Sequence, residues 1–73
     1  MIDLEYLKWL PMKSPKMYQT LLYMSQGYEY AEIAKVRYVT YGTVKNQVLA
    51  LRRKVGAKNA AHLIQMSHEA GIL

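Results

Sequence analysis

Two small groups of side chains have the right types for catalysis or metal binding, and their spacing argues against both. His62 and His68 are six residues apart, and there is no cysteine anywhere in the chain. A helix that binds zinc through two histidines places them at i and i+4, on one face, with further ligands close by. Six apart, with no third ligand nearby, points to structural histidines, so no metal is expected. Glu29 and Glu32 are at i, i+3 near the start of a helical pattern, where the helix dipole favours negative charge. That position suits a helix start better than a general acid and base. No glycine-rich phosphate loop and no Ser/His/Asp constellation is visible. Neither an enzyme, a cofactor nor a small-molecule substrate is expected.

The third group is cationic. The 73 residues carry a net charge of +5, and all five acids lie at Asp3, Glu5, Glu29, Glu32 and Glu69. Between Lys35 and Lys58 there are seven Lys or Arg residues and no acid. A polyanion is attracted to such a block because no neighbouring acid cancels its field. Seven tyrosines and no phenylalanine add aromatic surface whose hydroxyls reach water. Tyr38 and Tyr41 are the two expected to be exposed.

The elements that must carry these groups are short helices. A chain of this size is one domain with a thin core, burying roughly 60% of the surface it exposes when unfolded. Without cysteine it has no disulfide or thiolate–zinc staple, so apolar packing must hold it, and 52% hydrophobic residues allow that. The start, MIDLEYLKWL, lacks the basic flank and apolar run of a secretory signal. No stretch approaches the ~20 apolar residues that span a bilayer. A cytoplasmic protein without a membrane partner is expected.

Ser14-Pro15 is a helix start, serine capping and proline at the first helical position. Met17, Leu21 and Met24 then mark one face, and Gly27 ends the helix. A second helix follows around Tyr30 to Val36, with Ile33 and Ala34 inward. Thr40 caps a third, in which Val44, Val48, Leu51 and Val55 form a buried stripe that Gly56 closes. Asn59 caps a fourth, with Leu63, Met66 and Ala70 inward and Gly71 at its end. The expected fold is all-α: four helices over residues 14–73, preceded by an apolar arm over residues 1–13. Trp9 and Leu10 of the arm are expected to pack on Tyr18 and Leu22. Ile2 and Leu4, nearer the end, are candidates for docking to another protein.

From Ser14 onward the chain resembles the LuxR/GerE type of helix-turn-helix DNA-binding domain. The similarity rests on Ser14-Pro15-Lys16, Leu21, Gly27, Glu32-Ile33-Ala34, Thr43-Val44-Lys45-Asn46-Gln47, Arg53-Lys54-Val55-Gly56-Ala57 and Asn59, all in register without a gap. The resemblance implies a third helix that enters the major groove of double-stranded DNA. By position, Lys45, Asn46 and Gln47 would face the DNA, and Arg52, Arg53, Lys54 and Lys58 would lie near phosphates.

The sequence also departs from that pattern. Arg37 and Tyr38 replace an apolar residue and the turn glycine. Tyr41 and Gly42 replace the polar residues that open the recognition helix, and Leu49 replaces a basic one. Leu49 follows Lys45 by four and is expected to be exposed on the outer face. In length and in its added arm, the chain is similar to small phage-encoded transcription regulators that bind bacterial RNA polymerase, displace the sigma factor and permit antitermination. The apolar arm, the missing base-reading side chains at Tyr41 and Gly42 and the outward leucine point to a protein-binding surface made of Ile2, Leu4, Tyr38, Tyr41 and Leu49, and the resemblance implies that it acts on polymerase in the host cytoplasm.

Overall fold

The computed structural model describes residues 2–73. Its elements are six helices: α1 (Leu4–Lys8), α2 (Leu10–Lys13), α3 (Pro15–Ser25), α4 (Tyr30–Arg37), α5 (Tyr41–Val55) and α6 (Ala60–Glu69). The described residues contain no strand. No described helix is long and apolar enough to cross a membrane.

Side-chain caps fix where the helices begin. Ser14 Oγ accepts from the Met17 N–H (3.4 Å), Thr40 Oγ1 from the Thr43 N–H (3.1 Å) and Asn59 Oδ1 from the His62 N–H (2.8 Å). Each satisfies a donor that the first helical turn cannot pair internally. At α4 the Glu32 carboxylate reaches back to accept the Glu29 N–H at 2.9 Å, a capping role for the acidic pair. His62 Nδ1 accepts the Lys58 N–H at 2.9 Å and so fixes the loop before α6.

Left-handed residues fix where the helices end. Gly27, Gly56 and Gly71 have φ between 79° and 90° and close α3, α5 and α6. After α3 the Tyr28 N–H returns to the Tyr23 carbonyl at 3.1 Å. The rings of Tyr23 and Tyr28 pair with centroids 5.0 Å apart, the side-chain contact that accompanies this closure. Tyr28 therefore reinforces the end of α3.

The core is built around α5. Val48, Leu51 and Val55 pack with Met17 and Leu21 of α3 and with Leu63 and Met66 of α6, while Val44 packs with Ile33 and Ala34 of α4. The arm is not an appendage. It folds as α1 and α2, and Leu7 and Leu10 are fully buried in the same cluster. Asp3 caps α1 through the Tyr6 N–H (3.0 Å) and donates its own N–H to the Val55 carbonyl (2.9 Å). Leu10 is buried in the cluster against which Tyr18 also packs, though Leu22 takes no part in it, and Trp9 is not buried. It stands 51% exposed at the junction of α1 and α2, because those helices turn Leu7 and Leu10 inward instead.

Two changes test this packing. Val48→Asp buries an unpaired charge in a thin core and should abolish the helical circular-dichroism signal under native conditions. Leu7→Ala should cost about 2–4 kcal/mol in denaturant unfolding, as expected for a fully buried leucine. An unchanged unfolding midpoint for Leu7→Ala would mean that the arm lies outside the cooperative core.

Candidate binding surfaces along the fifth helix

The turn between α4 and α5 is closed by Tyr38, which has φ 57° and ψ 43°. It is the one non-glycine residue in the left-handed region among those described. The Val39 N–H bonds the Ala34 carbonyl at 3.0 Å and the Tyr38 N–H bonds that of Lys35 at 3.3 Å. Val39 packs on the small cluster of Ile33, Ala34 and Val44. This is the same closure that glycine makes elsewhere in the chain. A side chain there costs roughly 1–2 kcal/mol. Tyr38 nevertheless projects its ring into solvent at 95% exposure.

Tyr41 opens α5 and is 53% exposed, as its place beside the turn suggests. Its ring lies 6.2 Å from that of Tyr30. Burial pushes the Tyr30 phenol above its usual pKa near 10, an effect opposed by Arg52 and reinforced by Tyr41.

Lys45, Asn46 and Arg53 are exposed on α5, and Lys58 is exposed in the following loop, where the sequence places them. The other residues expected on the outer face are engaged elsewhere. Gln47 is half-buried, and its Oε1 accepts from Arg37 Nη1 at 2.8 Å. The same Arg37 nitrogen donates to Thr20 Oγ1 at 2.6 Å, and Thr20 is fully buried on α3. Arg37 thus ties α4 to both α3 and α5, and Gln47 is not free to read a base.

Arg52 is also committed. It donates from Nη2 to the Lys58 carbonyl at 2.7 Å and holds the turn between α5 and α6 instead of reaching outward. Lys54 is exposed, but its ammonium sits over the Tyr6 ring at 4.7 Å from the centroid, beside α1. Leu49 is half-buried, not exposed. At the helical repeat it lies on the flank of the outward face, between Lys45 and Arg53, and long cationic stems can cover it there.

The residues expected to bind protein do not form one patch. Ile2 is 55% exposed, whereas Leu4 is half-buried and packs on the main cluster. Both belong to the arm, which is tied to Val55 at the C-terminal end of α5. Tyr38 and Tyr41 lie at the N-terminal end. At ~1.5 Å per residue the two ends are about 21 Å apart. Sequence reasoning missed Met12, 77% exposed on α2, which with Trp9 and Ile2 gives the arm an apolar outer surface. Arg37 was missed too, and its only signal was a charge where an apolar residue fits the pattern.

No protein-family model matches the chain, and neither does any curated protein or solved structure.

Replacing Tyr38 should separate conformational cost from surface role. Tyr38→Gly removes the left-handed penalty and should raise stability by about 0.5–1 kcal/mol, a gain of a few degrees in Tm. Tyr38→Ala keeps the penalty and should give no such gain. A loss of stability with Tyr38→Gly would show that the ring makes a stabilising contact.

Tyr30 sets an alkaline limit. Its pKa is higher folded than unfolded, so its neutral form favours the fold, and stability should fall as pH rises from about 10 through the folded value. Tyr30→Phe should flatten that slope in unfolding measured against pH.

Proposed function

We propose that this protein is a small transcription regulator that binds bacterial RNA polymerase, inhibits initiation by displacing sigma, and permits antitermination. In this reading the fold is a LuxR/GerE-type helix-turn-helix, with α4 and α5 as its two helices and α1–α2 as an added arm. One observation carries the preference for a protein partner. Apart from Tyr28, the large exposed apolar side chains lie on the arm (Ile2, Trp9, Met12) or near the turn (Val36, Tyr38, Tyr41), whereas Gln47 and Arg52 are held in internal hydrogen bonds.

Aromatic and apolar anchors of this kind supply most of the affinity at protein interfaces. Separate patches on the arm and at the turn suit a large partner that touches the protein at more than one place. The uncancelled positive block speeds encounter with an acidic surface. If the bound surface overlaps a sigma contact, initiation falls without any chemistry by this protein.

Direct binding to double-stranded DNA is the second reading, favoured by the outward placement of Lys45, Asn46 and Arg53 on α5. Lys45 and Arg53 would contact phosphates, leaving little base readout, so such binding would be salt-dependent and indifferent to sequence.

Purified polymerase decides between them. The protein should co-elute with core enzyme and lower the sigma content of the holoenzyme. Tyr38→Ala with Tyr41→Ala should weaken that association about tenfold or more. Ile2→Ser should weaken it too, and tests the arm without removing Asp3 and Leu4, which the fold uses. Leu49→Lys should also weaken it while adding a cation that strengthens non-specific duplex binding. No association with polymerase, together with one tight operator recovered from random duplexes, would replace this reading with the second. In that case Lys45→Ala and Arg53→Ala should each lower duplex affinity and reduce its salt slope by about 1.

A further inference from the structure

The arm and α5 enclose a groove of about 230 Å³ that no part of the proposed function uses. Its floor is apolar, made by the buried Leu10, Met17 and Leu51, and Tyr6, the exposed Ala50 and Lys54 form part of its wall. Ligand pockets for whole small molecules run to roughly 300–1,000 Å³, so this groove is sized for one or two aliphatic side chains.

The charge beside it is one-sided: Lys54 is in the lining, and Lys13, outside the lining, lies on the same Tyr6 ring. The Lys54 ammonium lies 4.7 Å from the centroid of the Tyr6 ring and that of Lys13 lies 5.2 Å from the same ring. The two cations therefore fall within about one Debye length of each other (~10 Å at 0.1 M salt), close enough to repel. Among the described residues the one ion pair is Lys8 with Glu5, so neither ammonium has a carboxylate partner, and no acid lines the groove. Attraction to the ring offsets only part of that repulsion. An anion near both would offset more.

We propose that this groove binds an acidic peptide segment, with a leucine-sized side chain seated between Leu10 and Leu51 and a neighbouring carboxylate held by Lys13 and Lys54. The apolar floor selects against a bare phosphate chain, and the paired cations select for acidic flanks. Ser14 and Gln47, also in the lining, offer polar groups to the peptide backbone. Gln47 Oε1 is taken by Arg37, which leaves its amide NH₂ to donate. Polymerase is not required as the partner, and the groove lies on the side of α5 toward the arm, away from the turn that carries Tyr38 and Tyr41.

The test uses the whole chain and a fluorescein-labelled peptide, Glu-Leu-Asp-Glu-Leu-Leu-Asp-Glu-Leu-Glu, followed by anisotropy. Binding should be measurable at low salt and weaken severalfold at 0.3 M salt. Replacing both Lys13 and Lys54 with Ala should weaken it about tenfold. Ala50→Phe, which adds bulk on an exposed position of the groove wall, should weaken it at least as much while helical circular dichroism is unchanged. A peptide with every Leu changed to Ser should lose binding, as should one with every acid changed to Lys. Three results would overturn the proposal: no binding by the starting peptide, equal binding by the Ser peptide, or competition by oligothymidylate with Ala50→Phe having no effect. The first leaves the groove without this occupant, the second makes the attraction purely electrostatic, and the third identifies a nucleic-acid surface. Failure of polymerase binding with peptide binding intact would remove the proposed function and leave this site standing.

Discussion

Val44, Val48, Leu51 and Val55 run along one side of α5 and are the buried residues against which α1, α3, α4 and α6 are set, while α2 is held by α3 and α1. Val44 meets α4, and the other three meet the arm, α3 and α6. Fully burying a side chain of this size contributes about 1.5–3 kcal/mol, a large fraction of the marginal stability of a domain of 73 residues. The surface chemistry follows from that orientation. Once the stripe faces inward, Asn46 and Arg53 must face outward, Gln47 and Lys54 turn toward the arm, and Arg52 turns toward the following loop.

Polar interactions then fix what apolar packing leaves free. Arg37 has one nitrogen shared between Thr20 and Gln47, so the relative positions of α3, α4 and α5 are specified by hydrogen bonds as well as by contact. Thr20 is fully buried, and its hydroxyl also donates back to the Lys16 carbonyl at 3.4 Å. Ser67 on α6 is buried and pairs in the same way with the Leu63 carbonyl at 2.8 Å. Hydroxyls that bond their own helix can be buried at little cost. The Tyr18 hydroxyl donates to the Ile72 carbonyl at 2.7 Å and fastens the residues after α6 to α3.

Much of this was legible because it is local. Ser14, Thr40 and Asn59 cap the helices they precede in the sequence, and the helix-ending glycines and the α5 stripe need only a few neighbouring residues to be recognised. The exposure of Tyr38 and Tyr41 followed from their place at a turn. What was hidden is what depends on distant partners. Nothing near Arg37 shows that it will reach Thr20, seventeen positions away. Arg52 finds the Lys58 carbonyl only after the chain has reversed at Gly56. The arm was legible only at Leu10: helices of five and four residues are too short to display a period, so nothing marked Leu7 as buried or set Trp9 apart from Leu10 as exposed. The separation of the arm from the turn depends on which end of α5 the arm reaches, and no local pattern records that.

The anchoring of the arm sets how often its face of α5 is laid bare. Lifting α1 and α2 away would return Leu7 and Leu10 to water and break the bond between Asp3 and Val55. Two leucines alone make that opening unfavourable by about 3–6 kcal/mol, so the lifted form would be roughly one molecule in two hundred to one in thirty thousand. The wall of Tyr6 and Leu10 is therefore standing before any guest arrives. Whatever settles against it loses only its own freedom, because the host has already given up its own.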